Sequence, residues 1–174
     1  MERRGLCFLT LCWLCRCAYS CTGDKKERDR KQIQALELST LQDAKVISYE
    51  KADSLISCYL NYVGNYPEDS LCATYLYRAA DVYANTKRCI ESINIYDRLI
   101  KEYPEDAYVE SAYFLKGVVY SQTCLNKEKA KEAFEEFMAK YPKSAKYQDA
   151  KMLLIMDTMR DEMDLIRQFE QKNQ

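Results

Sequence analysis

The sequence predicts an all-α protein, an α-α superhelix built from about three to four helical hairpins with degenerate ends. Three observations support this fold class. The chain has only four Gly and three Pro in 174 residues, which leaves few places for turns and favours long helices. All three prolines, Pro67, Pro104 and Pro142, stand in one recurring phrase at intervals of 37 and 38 residues. Apolar residues precede each phrase at helical spacing.

Residues 1–20 predict a secretory signal peptide of the lipoprotein type. Two arginines precede an apolar run over residues 6–15, and the small residues Ala18 and Ser20 follow. This apolar run is well short of the roughly 20 residues that span a bilayer as a helix. The segment is therefore expected to be cleaved and not to anchor the chain as a transmembrane helix.

Cys21 follows directly and is the predicted lipidation site, since the phrase that it ends resembles a bacterial lipobox, in which a small residue precedes the lipidated cysteine. The next residues are polar and mixed in charge, so residues 21–31 are expected to form a tether. Acyl chains on Cys21 would hold the protein at a membrane without spanning it. Cleavage by an ordinary signal peptidase, without lipid, is the alternative.

Residues 32–174 are predicted to form one helical repeat domain, with units near 33–67, 71–104, 108–142 and 145–172. Residues counted back from each proline are 4, 3 and 4 apart and share one helix face. Equivalent positions hold Tyr62, Leu99 and Phe137, then Tyr59, Tyr96 and Phe134, then Leu55, Ser92 and Ala130. Because proline cannot continue a helix, each phrase ends one helix, and the acidic or Ser residues after it cap the next.

The first helix of each unit carries small residues where its hairpin partner must approach closely, as at Ala80 and Gly117. The last unit begins after Pro142 and has no further Tyr-Pro phrase. The apolar residues of this unit fit a terminal helix that caps the stack. They are Met159, Met163, Ile166 and Phe169.

These positions resemble the tetratricopeptide repeat (TPR) consensus over roughly residues 70–160. The matching residues are Ala80, Tyr83, Ser92, Tyr96 and Pro104, followed by Gly117, Tyr120, Ala130, Phe134 and Pro142. The Tyr-Pro endings are most similar to those of bacterial outer-membrane lipoproteins of the BamD type and of the periplasmic protein that coordinates cell division with the Tol system. This resemblance implies a lipid-anchored scaffold of the cell envelope, attached to the outer membrane, that takes part in outer-membrane protein assembly or envelope maintenance.

Composition argues against several other classes of function. A net charge of −1 offers no basic surface for nucleic acid. The chain has no His and no glycine-rich phosphate loop, so we predict neither an enzyme nor a cofactor or metal site. Four cysteines, Cys58, Cys72, Cys89 and Cys124, lie beyond the first 21 residues without a C-x-x-C pair. We expect them to be unbridged thiols in the core, with disulfides as the alternative.

The predicted binding surface is the concave face formed by the first helices of successive units. Helix phase assigns to it Tyr75, Arg78, Tyr113 and Lys116, whose rings and positive charges suit an extended peptide with apolar and acidic residues. Two further tyrosines, Tyr83 and Tyr120, are expected in the core. The sequence thus favours a membrane-tethered scaffold that binds other envelope proteins or peptides. The alternatives are a structural subunit that associates with its own copies through the final helix and, less favoured, an enzyme with an unrecognised site.

Overall fold

The computed structural model describes residues 24–40 and 47–172. These ranges contain seven helices and no strand, which confirms the predicted all-α class. Helix α1 covers residues 24–40. The others are α2 (Tyr49–Asn65), α3 (Cys72–Asn85), α4 (Cys89–Glu102), α5 (Tyr108–Gln122), α6 (Lys127–Lys140) and α7 (Tyr147–Lys172). None of the described helices combines the length and the apolar composition needed to cross a membrane.

The chain divides after Asp69 into two compact units. In the first unit, two tyrosines of the α2 segment hold α1 through hydrogen bonds. The Tyr59 hydroxyl donates to Glu37 at 2.6 Å, and the Tyr66 hydroxyl donates to Asp29 at 2.8 Å. Ile33 of α1 is fully buried, so the helix contributes an apolar contact as well as polar ones.

The tether expected over residues 21–31 needs a correction, because residues 24–31 form the first turns of α1. Their charged side chains have partners: Lys26 pairs with Asp69, and Lys31 lies 3.9 Å from Glu27, one helical turn away. The mixed charge of this segment therefore belongs to a solvated helix face. Residues 21–23 lie outside the described part of the chain.

The second unit consists of the hairpins α3–α4 and α5–α6, followed by α7. Each Tyr-Pro phrase acts as the joint between hairpins. The Tyr103 N–H donates to the Leu99 carbonyl at 2.9 Å, and the Asp106 carboxylate accepts the N–H of Tyr108, the first residue of α5, also at 2.9 Å. Equivalent bonds recur one repeat later over residues 137–146. The phrase therefore ends one helix and starts the next, as predicted.

The turn inside each hairpin places one residue in the left-handed region. These residues are Lys87, with a φ of 62°, and Leu125, with a φ of 53°, at equivalent positions of the two repeats. This conformation is unfavourable for residues other than glycine, so the packing of the two helices must maintain it. The Asn126 side chain then accepts the Lys129 N–H at 2.9 Å and caps α6.

Small residues let the two helices of each hairpin touch, as the sequence predicts. The Ser92 hydroxyl donates to the Ala80 carbonyl at 2.9 Å, and both residues are fully buried. In the next hairpin, a Cβ atom added to Gly117 would lie 2.5 Å from ring atoms of Phe134. Phe114 packs against the same ring, with the two centroids 6.1 Å apart.

A disulfide joins Cys89, the first residue of α4, to Cys124 in the turn after α5. Their Cα atoms are 5.3 Å apart. The expectation that all four cysteines are unbridged is therefore wrong for this pair, whose separation of 35 residues is close to one repeat period. That spacing brings both residues to the same end of successive hairpins. Cys58 and Cys72 lie outside any disulfide.

We expect Gly117→Ala to lower the free energy of unfolding by roughly 1–2 kcal/mol, because the buried Phe134 ring must move. The better helix propensity of alanine offsets only about 1 kcal/mol of the strain. Gly64→Ala in α2 is the matched control, since no atom lies within 4 Å of the added Cβ. It should raise stability by roughly 0.5–1 kcal/mol. Urea unfolding followed by circular dichroism measures both variants, and equal stability of the two would contradict the close contact.

Candidate functional site

The four residues predicted to line the concave face do not form one exposed set. Tyr75 is 5% exposed and belongs to the core, whereas Arg78 is exposed. The Lys116 side chain is only 15% exposed, and its Nζ lies 2.5 Å from the Asp97 carboxylate of α4. This side of α5 therefore faces the preceding helix. Apolar residues occur on nearly every side of α5, so the sequence could not reveal this orientation.

Three half-buried tyrosines, including the predicted lining residue Tyr113, lie beneath cations of the same chain. The cation–ring pairs are Lys140 over Tyr113 at 4.9 Å, Arg88 over Tyr83 at 4.8 Å and Lys129 over Tyr120 at 5.7 Å. These rings are therefore engaged within the domain. Tyr83 and Tyr120, which were expected in the core, are only partly buried. The predicted lipidation site, Cys21, lies outside the described residues.

A different group of residues meets where α3, α4 and α5 come together. Tyr77 and Asp81 lie one turn apart on α3. The centroid of the Tyr77 ring is 4.6 Å from that of Tyr108 on α5 and 6.2 Å from that of Tyr96 on α4. The Tyr96 hydroxyl donates to the Asp81 carboxylate at 2.5 Å. We call these four residues the aromatic–acidic site.

The charge of Asp81 is only partly compensated. Burial raises the pKa of its carboxyl group, and the hydrogen bond from Tyr96 opposes that effect. Burial first, and then the Asp81 charge, raises the pKa of the Tyr96 hydroxyl, so this group stays protonated and donates. Within the described part of the chain, Asp81 has no ion pair and no second hydrogen bond.

This arrangement suits a cationic group. A carboxylate attracts an ammonium or guanidinium group and can accept its hydrogen bond. The faces of Tyr77 and Tyr108 can add cation–π attraction, which is stronger where water is partly excluded. The half-buried positions of Tyr77, Asp81 and Tyr108 leave part of each side chain accessible.

Tyr77 and Asp81 were not among the predicted site residues, although the internal repeat contains a signal for them. One repeat later, 37 residues along the chain, the same positions hold Phe114 and Val118. Phe114 contacts Phe134 as Tyr77 contacts Tyr96, which confirms the equivalence. The first repeat thus has a polar pair at positions where the second repeat has an apolar pair. Packing of the hairpin alone does not require this difference.

The first unit contains a weaker candidate, a cavity of about 200 Å³. Gln32 donates to the Cys58 sulfur at 3.8 Å, and burial, followed by the charge of Asp29, raises the pKa of the Cys58 thiol. A protonated thiol is a poor nucleophile, and the volume is below the roughly 300 Å³ of ordinary ligand pockets. Among the described residues, no group of three His, Cys, Asp or Glu is placed to hold a metal ion.

Comparison with protein families matches the tetratricopeptide repeat at residues 74–106 and 111–144. These segments correspond to the hairpins α3–α4 and α5–α6. Among solved structures, this chain is similar to a tetratricopeptide repeat protein from Parabacteroides merdae ATCC 43184, with a TM-score of 0.48 and 18% identity. The match covers 84% of this chain and 61% of that one, so this chain spans about three fifths of that protein. No curated protein shows a significant match.

We expect Asp81→Asn to raise the thermal midpoint at neutral pH by roughly 2–4 °C, the shift that about 1 kcal/mol produces in a domain of this size. Because folding raises the pKa of Asp81, the ionised group lowers stability at pH values above that raised pKa. The penalty is absent below the ordinary carboxyl pKa of about 3.9. The gain from asparagine should therefore fade in acid.

Thermal unfolding at neutral and acidic pH measures this dependence. Asp97→Asn is the control, since Asp97 is largely exposed and paired with Lys116. It should not stabilise the protein at neutral pH. If the stability gain from Asp81→Asn were the same at both pH values, the destabilisation assigned to the ionised Asp81 carboxylate would be wrong.

Proposed function

We propose that this chain is a membrane-tethered scaffold of the cell envelope that binds other proteins or peptides. Its aromatic–acidic site would hold a basic side chain of the partner. The two tetratricopeptide repeats support the general role, because stacked helical repeats of this kind present extended surfaces for proteins or peptides. The observation that carries the specific proposal is the half-buried Asp81 carboxylate, which forms no ion pair among the described residues.

A charge in this position needs a reason, because it lowers the stability of the folded chain. The equivalent residue of the next repeat is Val118, which packs against the apolar cluster around Phe134. An apolar residue at position 81 would therefore satisfy the hairpin. Retaining a carboxylate there is understandable if a cation from another molecule balances it.

We propose a partner segment with a positive charge, whereas the lining residues predicted from helix phase favoured a negative one. The predicted lining residues Arg78 and Lys116 favoured an acidic peptide. Lys116 is paired with Asp97, however, so its positive charge is already compensated within the chain. Asp81, Tyr77 and Tyr108 instead favour lysine or arginine in the bound segment.

The envelope location rests on two independent features. The Cys89–Cys124 disulfide is typical of proteins in oxidising compartments outside the cytoplasm. The N-terminal sequence has the order of a secretory signal that ends at a lipobox-like Cys21. By its resemblance to BamD-type lipoproteins, the scaffold would serve outer-membrane protein assembly or envelope maintenance.

The binding proposal predicts selectivity for positive charge. The probe is an array of synthetic peptides with one apolar frame and Lys, Arg, Gln or Glu at a single position. We expect the purified protein to retain the Lys and Arg peptides, and Asp81→Asn to weaken their binding by about tenfold, or about 1.4 kcal/mol. Tyr77→Ala should weaken them too. Fluorescence anisotropy of the selected peptides measures the affinities.

Asp97→Asn is the matched control, because it removes a carboxylate from α4 outside the aromatic–acidic site and should leave peptide affinity unchanged. A preference for Glu peptides, or equal loss in the Asp81 and Asp97 variants, would refute a cation site at Asp81.

The location predicts a lipid adduct on Cys21. The protein is produced in a Gram-negative host, and its intact mass and membrane partition are compared between wild type and Cys21→Ala. We expect the wild type to carry acyl chains and to sediment with membranes, because two or more chains give stable anchoring. The variant should lose both properties. A wild-type protein without lipid in the soluble fraction would exclude the lipoprotein assignment while leaving an exported binding module.

A further inference from the structure

Helix α7 exposes a continuous apolar stripe. Its six members, each between 51% and 63% exposed, are Met152, Ile155, Met156, Met159, Met163 and Ile166. They recur every three or four residues and so share one side of the helix, which we call the open face. The stripe from Met152 to Ile166 is about 21 Å long. An apolar surface of this size on a folded domain marks an interaction site.

The internal repeat shows what kind of element belongs on this face. With the offset of 38 residues between Pro104 and Pro142, the open-face residues Met152, Ile155 and Met156 correspond to Phe114, Gly117 and Val118 of α5. Helix α6 covers those three positions in the preceding hairpin. The contacts there are Phe114 and Gly117 against Phe134, with Val118 in the same cluster.

The open face of α7 is therefore the side on which the second helix of a hairpin packs. The short turn between α5 and α6 makes the covering helix run antiparallel to the first. An occupant of the open face should accordingly be an antiparallel helix. It cannot approach as closely as α6 does, because Ile155 replaces Gly117 and fills the space that receives the Phe134 ring.

The spacing of the open face favours a second α7 as that helix. Relative to Met159, Ile155 and Met163 lie four residues away on either side, and Met152 and Ile166 lie seven residues away. An antiparallel copy centred on Met159 thus places Ile155 opposite Met163 and Met152 opposite Ile166, so these apolar residues of both stripes are buried together. A surface that matches itself under a two-fold rotation is the requirement for a closed dimer.

The composition of the open face agrees with a helix pair that lacks a glycine contact. Four of the chain's six methionines lie on it. Their flexible thioether side chains adjust to fill the irregular space between two helices held apart by Ile155. The side chain of Phe169, also expected on this helix face, lies outside what the structure describes.

We propose that two copies of this chain associate through the open faces of their α7 helices, antiparallel and with Met159 on the two-fold axis. This interface goes beyond the proposed peptide binding and uses none of the residues of the aromatic–acidic site. The partner of the open face is thus a second copy of the chain, while the aromatic–acidic site remains available to a different protein.

The first test measures mass against concentration for the purified full-length protein by sedimentation equilibrium. We expect the wild type to pass from monomer to dimer as its concentration rises. Met159→Glu should raise the dissociation constant of the dimer by at least about tenfold, since two carboxylates would meet at the two-fold axis. Leu125→Glu is the matched control, because Leu125 is also an exposed apolar residue and lies in the turn between α5 and α6, not on the open face. It should dimerise like wild type.

The second test establishes the direction of the helices. In Met159→Cys, the two introduced thiols face each other across the axis, and oxidation should join the two copies through a disulfide at this position, identified by mass spectrometry of the linked peptides. In Met152→Cys, the two thiols of an antiparallel pair lie about 21 Å apart and cannot link. In the double variant with Met152→Cys and Ile166→Cys, position 152 of one copy lies opposite position 166 of the other. A disulfide between the two copies should therefore form again.

A wild type that stays monomeric up to its solubility limit would overturn the proposal, as would a dimer equally stable in wild type and Met159→Glu. A parallel arrangement would be revealed by links in both single-cysteine variants and would also overturn it. Asp81→Asn should dimerise like wild type, so a failure of peptide binding and a failure of self-association remain distinguishable. Since Met159 is 59% exposed, circular dichroism should show that its variants keep their helices.

Discussion

The contact between a small residue on the first helix and a larger side chain on the second is the constraint on which the second unit depends. Gly117 leaves the space that the Phe134 ring fills, and Ala80 brings its carbonyl within hydrogen-bonding distance of Ser92. Once the helices are this close, the residue one turn before the small residue on the first helix contacts the edge of an aromatic ring on the second helix. Tyr77 therefore contacts Tyr96, and the aromatic–acidic site follows from the way the hairpin packs.

The site also depends on how successive hairpins are joined, because Tyr77 and Tyr108 belong to different hairpins. The Tyr103 phrase starts α5 in a defined position, with Asp106 accepting the Tyr108 N–H. At the other end of the helices, the Cys89–Cys124 disulfide ties the start of α4 to the turn after α5. The two ends of the hairpin pair are therefore linked independently, which keeps the rings of Tyr77 and Tyr108 side by side.

The hairpins could be predicted from the sequence because proline ends a helix wherever it falls, and helical spacing identifies the buried rings. The lining residues could not be predicted in the same way. Tyr75 and Lys116 lie on helices with apolar residues on several sides, and periodicity does not say which side meets which neighbour. The disulfide could be given only as the alternative, because a spacing near one repeat places Cys89 and Cys124 close together without showing that their Cβ atoms converge.

Equivalent positions on the three first helices now have three different roles. In α5, Phe114 and Val118 are partly buried and pack against the apolar cluster around Phe134. In α3, the same positions hold Tyr77 and Asp81, which keep a charge that the hairpin does not need. In α7, they hold Met152 and Met156, which are 63% and 51% exposed. One set of equivalent positions in the second unit thus holds a packed apolar pair, a polar pair and an exposed apolar pair. The repeat sets the place of these side chains on the helix, and the residue at each place decides whether it packs, carries a charge or stays exposed.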